Sequence, residues 1–409
     1  MAVTIVSQPQ SITTCYNPFY VVAQSNNTSL NEFKYVVDVY VNHSAFTASD
    51  YVARYKILPR PNNVYCIFSP ARLLESYLSY DLGMQNLSGY GSSTSVNCVK
   101  QYYVSLGEEY NTGGTSQIFS ALTNISGYTI NGVVQYDELP GWTSVPYQHG
   151  SSSKKYLTNS PSTLTVRNAS DKATLSFLSV IGGNNERFAL INVVAISGGS
   201  RSWLMENVAR TATTVNRLVC HYGTGPWNIN RNFYGTGSSR NINVTTDLYY
   251  EFTIVDSLLN PVFETKRYNI NQRCTKYETV RLMFLNRLGC WDYMNFDLVS
   301  RKNISSNKNK YTKLLDYNYT VGKRGSTILD STNQETMTVN SDWITDSEAV
   351  WLEELLTSPE VYELRTNGDS IPVIIDTTSQ EVQKTINDKL FNISFNYSYA
   401  FEVYSQRNS

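Results

Sequence analysis

Tyr277-Glu-Thr-Val-Arg-Leu-Met-Phe-Leu-Asn-Arg-Leu-Gly-Cys-Trp-Asp-Tyr-Met-Asn-Phe-Asp297 is the stretch around which the chain is organised. Val280, Leu282 and Phe284 fall on one side of an extended backbone, and Thr279, Arg281, Met283 and Leu285 on the other. That alternation suits a sheet buried on one face and partly covered on the second. Asn286, Arg287 and Gly289 then supply turn chemistry. Cys290, Trp291, Tyr293 and Phe296 follow, too aromatic for a loop and too short a run for an ordinary helix. The stretch therefore reads as strand, turn, strand, with the aromatics closing a β-domain.

The rest of the chain has the same character. Its 409 residues exceed one sandwich of roughly 100 residues. Charged residues are sparse, while Tyr, Thr, Asn and Ser are abundant; the first two suit pleated surfaces and the last two suit turns. The fold class expected is mostly β: tandem immunoglobulin- or fibronectin-like β-sandwich domains plus a C-terminal β-rich module with one short helix. The boundaries predicted are 1–140 for a first sandwich, 141–169 for a loop or linker, 170–300 for a second sandwich and 311–409 for an α+β assembly module.

In the first domain, Phe33, Tyr35, Val37, Val39 and Val41 alternate with Lys34, Asp38 and Asn42, as in a strand with one solvated face. Ser69-Pro70 opens a helix expected over 70–80. Val96 to Leu106 reads as a strand, 107–116 as a polar loop and Tyr128 to Tyr136 as a further strand. Residues 141–165 carry Pro, Gly, Ser and Lys without periodicity and are expected to be a docking element that the core does not need. Strands of the second domain are expected near Ala173–Val180, Arg187–Ser197, Val215–His221, Leu248–Val255 and Tyr277–Leu285. Polar 301–310 reads as an exposed connection. In the last module, Thr345 and Glu348 form a capping box for a helix from about Asp346 to Thr357. Phe391 to Val403 alternates without interruption and predicts one strand of roughly 43 Å.

Net charge is −1, without a basic stripe, which excludes direct nucleic-acid binding as an expectation. No apolar run approaches the length of a membrane helix, and Met-Ala-Val-Thr-Ile-Val has neither a basic n-region nor a cleavage site. Cys15, Cys66, Cys98, Cys220, Cys274 and Cys290 lack Cys-x-x-Cys spacing and read as reduced, buried thiols. His43, His149 and His221 lie far apart and read as structural. No hydrolase, zincin or Walker motif is present, and the paired carboxylates are sequence neighbours that cannot face each other across a cleft. No catalytic residue, metal ligand or cofactor is assigned, and the chain is expected to bind no stoichiometric metal. Trp142, Tyr147, Trp203 and Trp227 are the candidates for stacking on a glycan or a partner.

Glu278-Thr-Val-Arg-Leu-Met-Phe-Leu-Asn-Arg-Leu-Gly289 with Trp291-Asp-Tyr-Met-Asn-Phe296 resembles virion proteins of tailed phages that infect Bacteroidetes-type bacteria, crAss-like phages among them. Asn17-Pro18-Phe19, the run Phe33 to Val41, Ser69 to Leu78, and Val339 to Leu356 with the strands after it fit the same family. Together these segments span about half the chain and both of its ends. The resemblance implies a structural subunit of a tail, neck or baseplate ring or tube, repeated around an axis and touching other virion proteins, assembled in the host bacterial cytoplasm. Thirty-one tyrosines suit such interfaces. The contact between copies is expected at Trp351, Leu355, Phe391, Ile393, Phe395, Tyr397, Tyr399 and Phe401, because so long a strand would outrun its module. The alternative is a virion-surface adhesin that binds a host glycan or receptor.

Overall fold

The computed structural model describes residues 3–42, 47–61, 63–87, 92–147, 154–180, 188–206, 217–231, 240–273, 276–323, 325–376 and 390–404. The chain is mostly β, with 49% strand and 10% helix. It divides into two compact units, each assembled from separate segments: residues 1–164, 172–270 and 286–292 in the first, and 165–171, 271–285 and 293–409 in the second.

The first unit contains two sandwiches. In one, a three-stranded sheet ordered Val3–Ser7, Val21–Ser25, Tyr65–Phe68 packs on a five-stranded sheet ordered Ile12–Thr14, Thr115–Ile130, Val99–Thr112, Lys34–Asn42, Tyr51–Ile57. Val21, Ala23 and Cys66 meet Tyr35, Val37, Val39, Val104 and Leu106 between them. The alternation of Lys34–Asn42 places those residues inward. The opposite face is more covered than the sequence suggests: Val36 is buried, and so is Asp38, which receives two hydrogen bonds of 2.7 Å from Arg54 on the adjacent strand. Residues 107–116 are no loop. The strand runs on to Thr112, and Gly113 and Gly114, at φ 67° and 93°, make the turn alone. Glu108 tolerates burial because Ser25 and Asn27 donate to its carboxylate. The first helix is shorter than expected, Ala71–Glu75.

The second sandwich faces a sheet ordered Thr163–Val166, Lys266–Ile270, Asp247–Val255, Phe188–Ala195, Ser200–Glu206 against a sheet ordered Thr174–Val180, Arg217–Gly223, Ser92–Ser95. Phe177, Tyr222, Phe252, Phe263 and Tyr156 interlock between them at centroid distances of 4.7–6.4 Å. Tyr156 and Leu157 are thus core, against the expectation that the core does not need 141–165. Lys154 and Lys266 are also buried there; Lys266 Nζ donates to the Ser160 and Pro161 carbonyls and pairs with Glu264. Four of the strands expected for this sandwich are found. The fifth, Val280–Leu285, belongs to the second unit.

The second unit is built on a sheet ordered Trp291–Phe296, Val280–Leu285, Val361–Leu364, Ser370–Ile375, Ser394–Tyr399, Ser326–Asn340, Arg301–Thr312, with Val403–Tyr404 also pairing Ser326–Asn340. The opening stretch is strand, turn and strand as its sequence predicts. Arg281 avoids an unpaired burial through Asn295, at 2.6 Å, and Asp171, at 3.8 Å. Helix Asp346–Thr357 packs Trp351 against Phe284, with ring centroids 5.6 Å apart. Its capping box is formed: Glu348 N–H donates to Thr345 Oγ1, and Thr345 N–H donates to Glu348 Oε2. Thr345→Ala should cost about 1 kcal/mol. A denaturation midpoint equal to that of the parent would show that tertiary packing alone holds this end.

Candidate functional site

Six of the eight residues expected to form the contact between copies are buried within the chain. Trp351, Leu355, Ile393, Phe395, Tyr397 and Tyr399 are each buried in the second unit, while Phe401 is exposed. The side chain of Phe391 lies outside the described residues. The predicted single strand is three, Leu390–Phe391, Ser394–Tyr399 and Val403–Tyr404. Ser394–Tyr399 is flanked by Ser326–Asn340 on one side and Ser370–Ile375 on the other, so it offers no open edge. Strict alternation cannot distinguish a long free strand from a short central one whose ends bend away.

The exposed feature is elsewhere. Arg301–Thr312, expected as a connection, is a strand paired to Ser326–Asn340 from Arg301↔Thr338 to Thr312↔Ser326. Near its base the second strand is held by residues 394–398 and 403–404. Beyond Thr332 the two strands pair only with each other among the described residues. Every residue of Arg301–Thr312 except Tyr311 is exposed. At the tip Leu314, Tyr317 and Val321 are 100%, 98% and 103% exposed, so nothing among the described residues covers them. Tyr319 is exposed beside them. Polar residues on both faces of Arg301–Thr312 hide this strand from a periodicity search. The signal that could have found it is its β-branched partner, with Thr327, Ile328, Thr332, Thr336, Thr338 and Val339.

The aromatic candidates do not form one site. Trp142 and Tyr147 stack, with centroids 6.4 Å apart and planes 24° from parallel. Trp203 is buried in strand Ser200–Glu206 rather than on a loop. Trp227 lies on helix Pro226–Arg231, where no helix was expected, with Lys172 and Arg231 4.6 and 4.4 Å from its ring. Those two cations occupy the ring that a sugar would need.

A cluster that sequence spacing did not single out lies in the first unit. Asp81, from the segment after the first helix, Cys98, preceding Val99–Thr112, and His221, in Arg217–Gly223, bring one donor atom each within 4.8 Å of one another. Cys98 Sγ is 3.2 Å and His221 Nε2 3.4 Å from Asp81 Oδ2. Asn97 donates to Asp81 Oδ1, and the Trp291 indole donates to the Asp81 carbonyl, which fixes the segment. Burial pushes the Asp81 carboxyl up, but hydrogen bonds from His221, Ser95, Asn97 and Cys98 outweigh it and hold the group well below the usual carboxylate range. Burial raises the Cys98 thiol, with Cys290 and Asp81 adding to the effect. Cys15, Cys66, Cys98, Cys220 and Cys290 are buried thiols with no disulfide among them, as their spacing predicts. His43, His149 and Cys274 lie outside the described residues.

No family model matches the chain, and no curated protein does. Among solved structures it is similar to an α-L-rhamnosidase of Streptomyces avermitilis complexed with L-rhamnose, at 8% identity and a TM-score of 0.15, over 65% of this chain and 24% of that one. The chain thus spans about a quarter of that enzyme's length, and a likeness this low bears on neither fold nor activity. No helix among the described residues is long and apolar enough to cross a membrane.

Proposed function

We propose that the chain is a structural subunit of a tailed-phage virion, repeated in a ring or tube of the tail, neck or baseplate region. Each copy holds its neighbour by the hairpin of residues 301–340. The hairpin carries this reading. An isolated two-stranded ribbon is marginal in water, and this one ends in five exposed large apolar side chains, Leu314, Leu315, Tyr317, Tyr319 and Val321. Lys302, Lys308 and Lys310 along its outer strand disfavour further strand pairing, so the tip is the part that docks. Burying a side chain such as Leu or Val contributes roughly 1.5–3 kcal/mol. The phage-like segments and the tyrosine-rich, nearly neutral composition agree with a subunit whose chemistry is contact.

The test is the full-length chain with Leu314, Tyr317 and Val321 all replaced by Ser, compared with the parent by mass photometry across a concentration series. The thermal midpoint should stay unchanged, because these side chains are fully exposed among the described residues. The concentration needed for higher-order assembly should rise by about a hundredfold or more. Equal assembly of parent and variant would remove the hairpin from the contact, and with it the support for a ring subunit.

A further inference from the structure

We propose that Asp81, Cys98 and His221 form a structural zinc site in the first unit. A carboxylate oxygen, a thiolate sulfur and an imidazole nitrogen are all ligand types that Zn²⁺ takes in proteins. Two of the three donor-to-donor edges are already those of a coordination sphere, and the third is within 4.8 Å. Zinc–ligand lengths with tetrahedral angles require edges of about 3.4 Å for N···O and about 3.6 Å for O···S. The observed edges are 3.4 Å for His221 Nε2 to Asp81 Oδ2 and 3.2 Å for Cys98 Sγ to the same oxygen.

The imidazole is oriented as a ligand. His221 Nδ1 lies 2.8 Å from Ser176 Oγ, the kind of outer contact that sets the tautomer of a metal-bound histidine. Nε2 points to the other donors. It faces Asp81 Oδ2 at 3.4 Å, and the residue is 1% exposed.

Catalysis by the same three groups is disfavoured by their order. The carboxylate stands beside both the thiol and the imidazole, and Cys98 is 2% exposed, so a substrate could not reach it. Three protein donors would leave the fourth tetrahedral position to a water, and the burial of His221 and Cys98 suits a metal that ties elements together rather than one that meets a substrate. Zinc would replace the thiol proton of Cys98, which passes to solvent, and would tie the segment after the first helix to a strand of each sandwich. The three ligands come from separate elements, so no short ligand motif exists for a sequence search to detect.

The full-length protein would be freed of metal with a chelator, dialysed and titrated with Co²⁺. About one equivalent should bind with a near-ultraviolet thiolate-to-cobalt band and the visible absorption of a tetrahedral site, and Zn²⁺ should displace it. Cys98→Ser should abolish the thiolate band, while Cys66→Ser, in the core of the first sandwich, should keep it. The parent provides a readout that does not depend on a variant folding: its thermal midpoint should fall on chelation and recover when Zn²⁺ is restored. No thiolate band in the parent, a band that survives Cys98→Ser, or a midpoint indifferent to chelator would each overturn the assignment.

Discussion

Gly289→Ala should prevent the chain from accumulating as folded protein. Gly289 sits at φ 79° in the turn that joins the two strands of the Tyr277–Asp297 stretch. A Cβ there would lie 1.9 Å from the Asn131 carbonyl oxygen and 2.8 Å from its carbon. Neither atom belongs to a side chain that could swing aside. Both are fixed by surrounding hydrogen bonds: Asn131 N–H to the Cys98 carbonyl, Val133 N–H to the Arg287 carbonyl, and Cys290 N–H to the Asn286 side chain. Relief therefore requires one of two buried turns to move. The left-handed backbone adds roughly 1–2 kcal/mol for any residue with a Cβ. The total should exceed about 4 kcal/mol, a large part of an ordinary domain's stability. Gly198→Ala is the control. Its φ is 84°, but nothing lies within 4 Å of the added carbon, so only the backbone cost applies. Soluble yield and circular dichroism of the two variants distinguish clash from strain; equal behaviour would show that the Asn131 contact is not rigid.

The second large effect is expected in alkali. Burial raises the Cys15 thiol from 9.0 to about 12, with smaller opposing hydrogen bonds, and does the same to Cys66. A group raised in the fold stabilises it fully below its unfolded value, and that contribution is lost as pH climbs toward the folded value. The loss therefore begins near pH 9.0 and is complete near pH 12. Three pH units correspond to roughly 4 kcal/mol per thiol, so two of them approach the whole stability of a typical domain. The strand signal in circular dichroism should collapse within that window. Cys15→Ala with Cys66→Ala should move the alkaline midpoint upward, even though the smaller side chains lower stability at neutral pH. An alkaline midpoint that stays put in the double variant would mean that other groups govern the transition.

What the sequence could express was local. Alternation located Lys34–Asn42, Thr345 and Glu348 placed the last helix, and Asn286 with Gly289 marked the central turn, because each depends on neighbours along the chain. The mostly β class followed from composition for the same reason. Arg301–Thr312 was missed because both of its faces meet water, which removes the alternation that marks a half-buried strand. Tyr156 and Leu157 were lost in a stretch whose polar composition belongs to their neighbours. Phe391 to Val403 misled in the opposite direction: the period was right, but bends near Asn392 and Ala400 are invisible to it. Asp81, Cys98 and His221 meet only once two sandwiches have formed, so nothing short of the tertiary fold places them together.

The interleaving of the two units has a consequence for synthesis. A ribosome that has reached residue 285 has already made 165–171 of the second unit, yet has not delivered 286–292 of the first. The nascent first unit must wait without the loop that carries Gly289 and the indole that holds Asp81, with part of its interior open to chaperones and proteases. Release of both units into their final form is therefore a late event. A chain interrupted by a premature stop near residue 270 would yield an unfinished body rather than a smaller working domain.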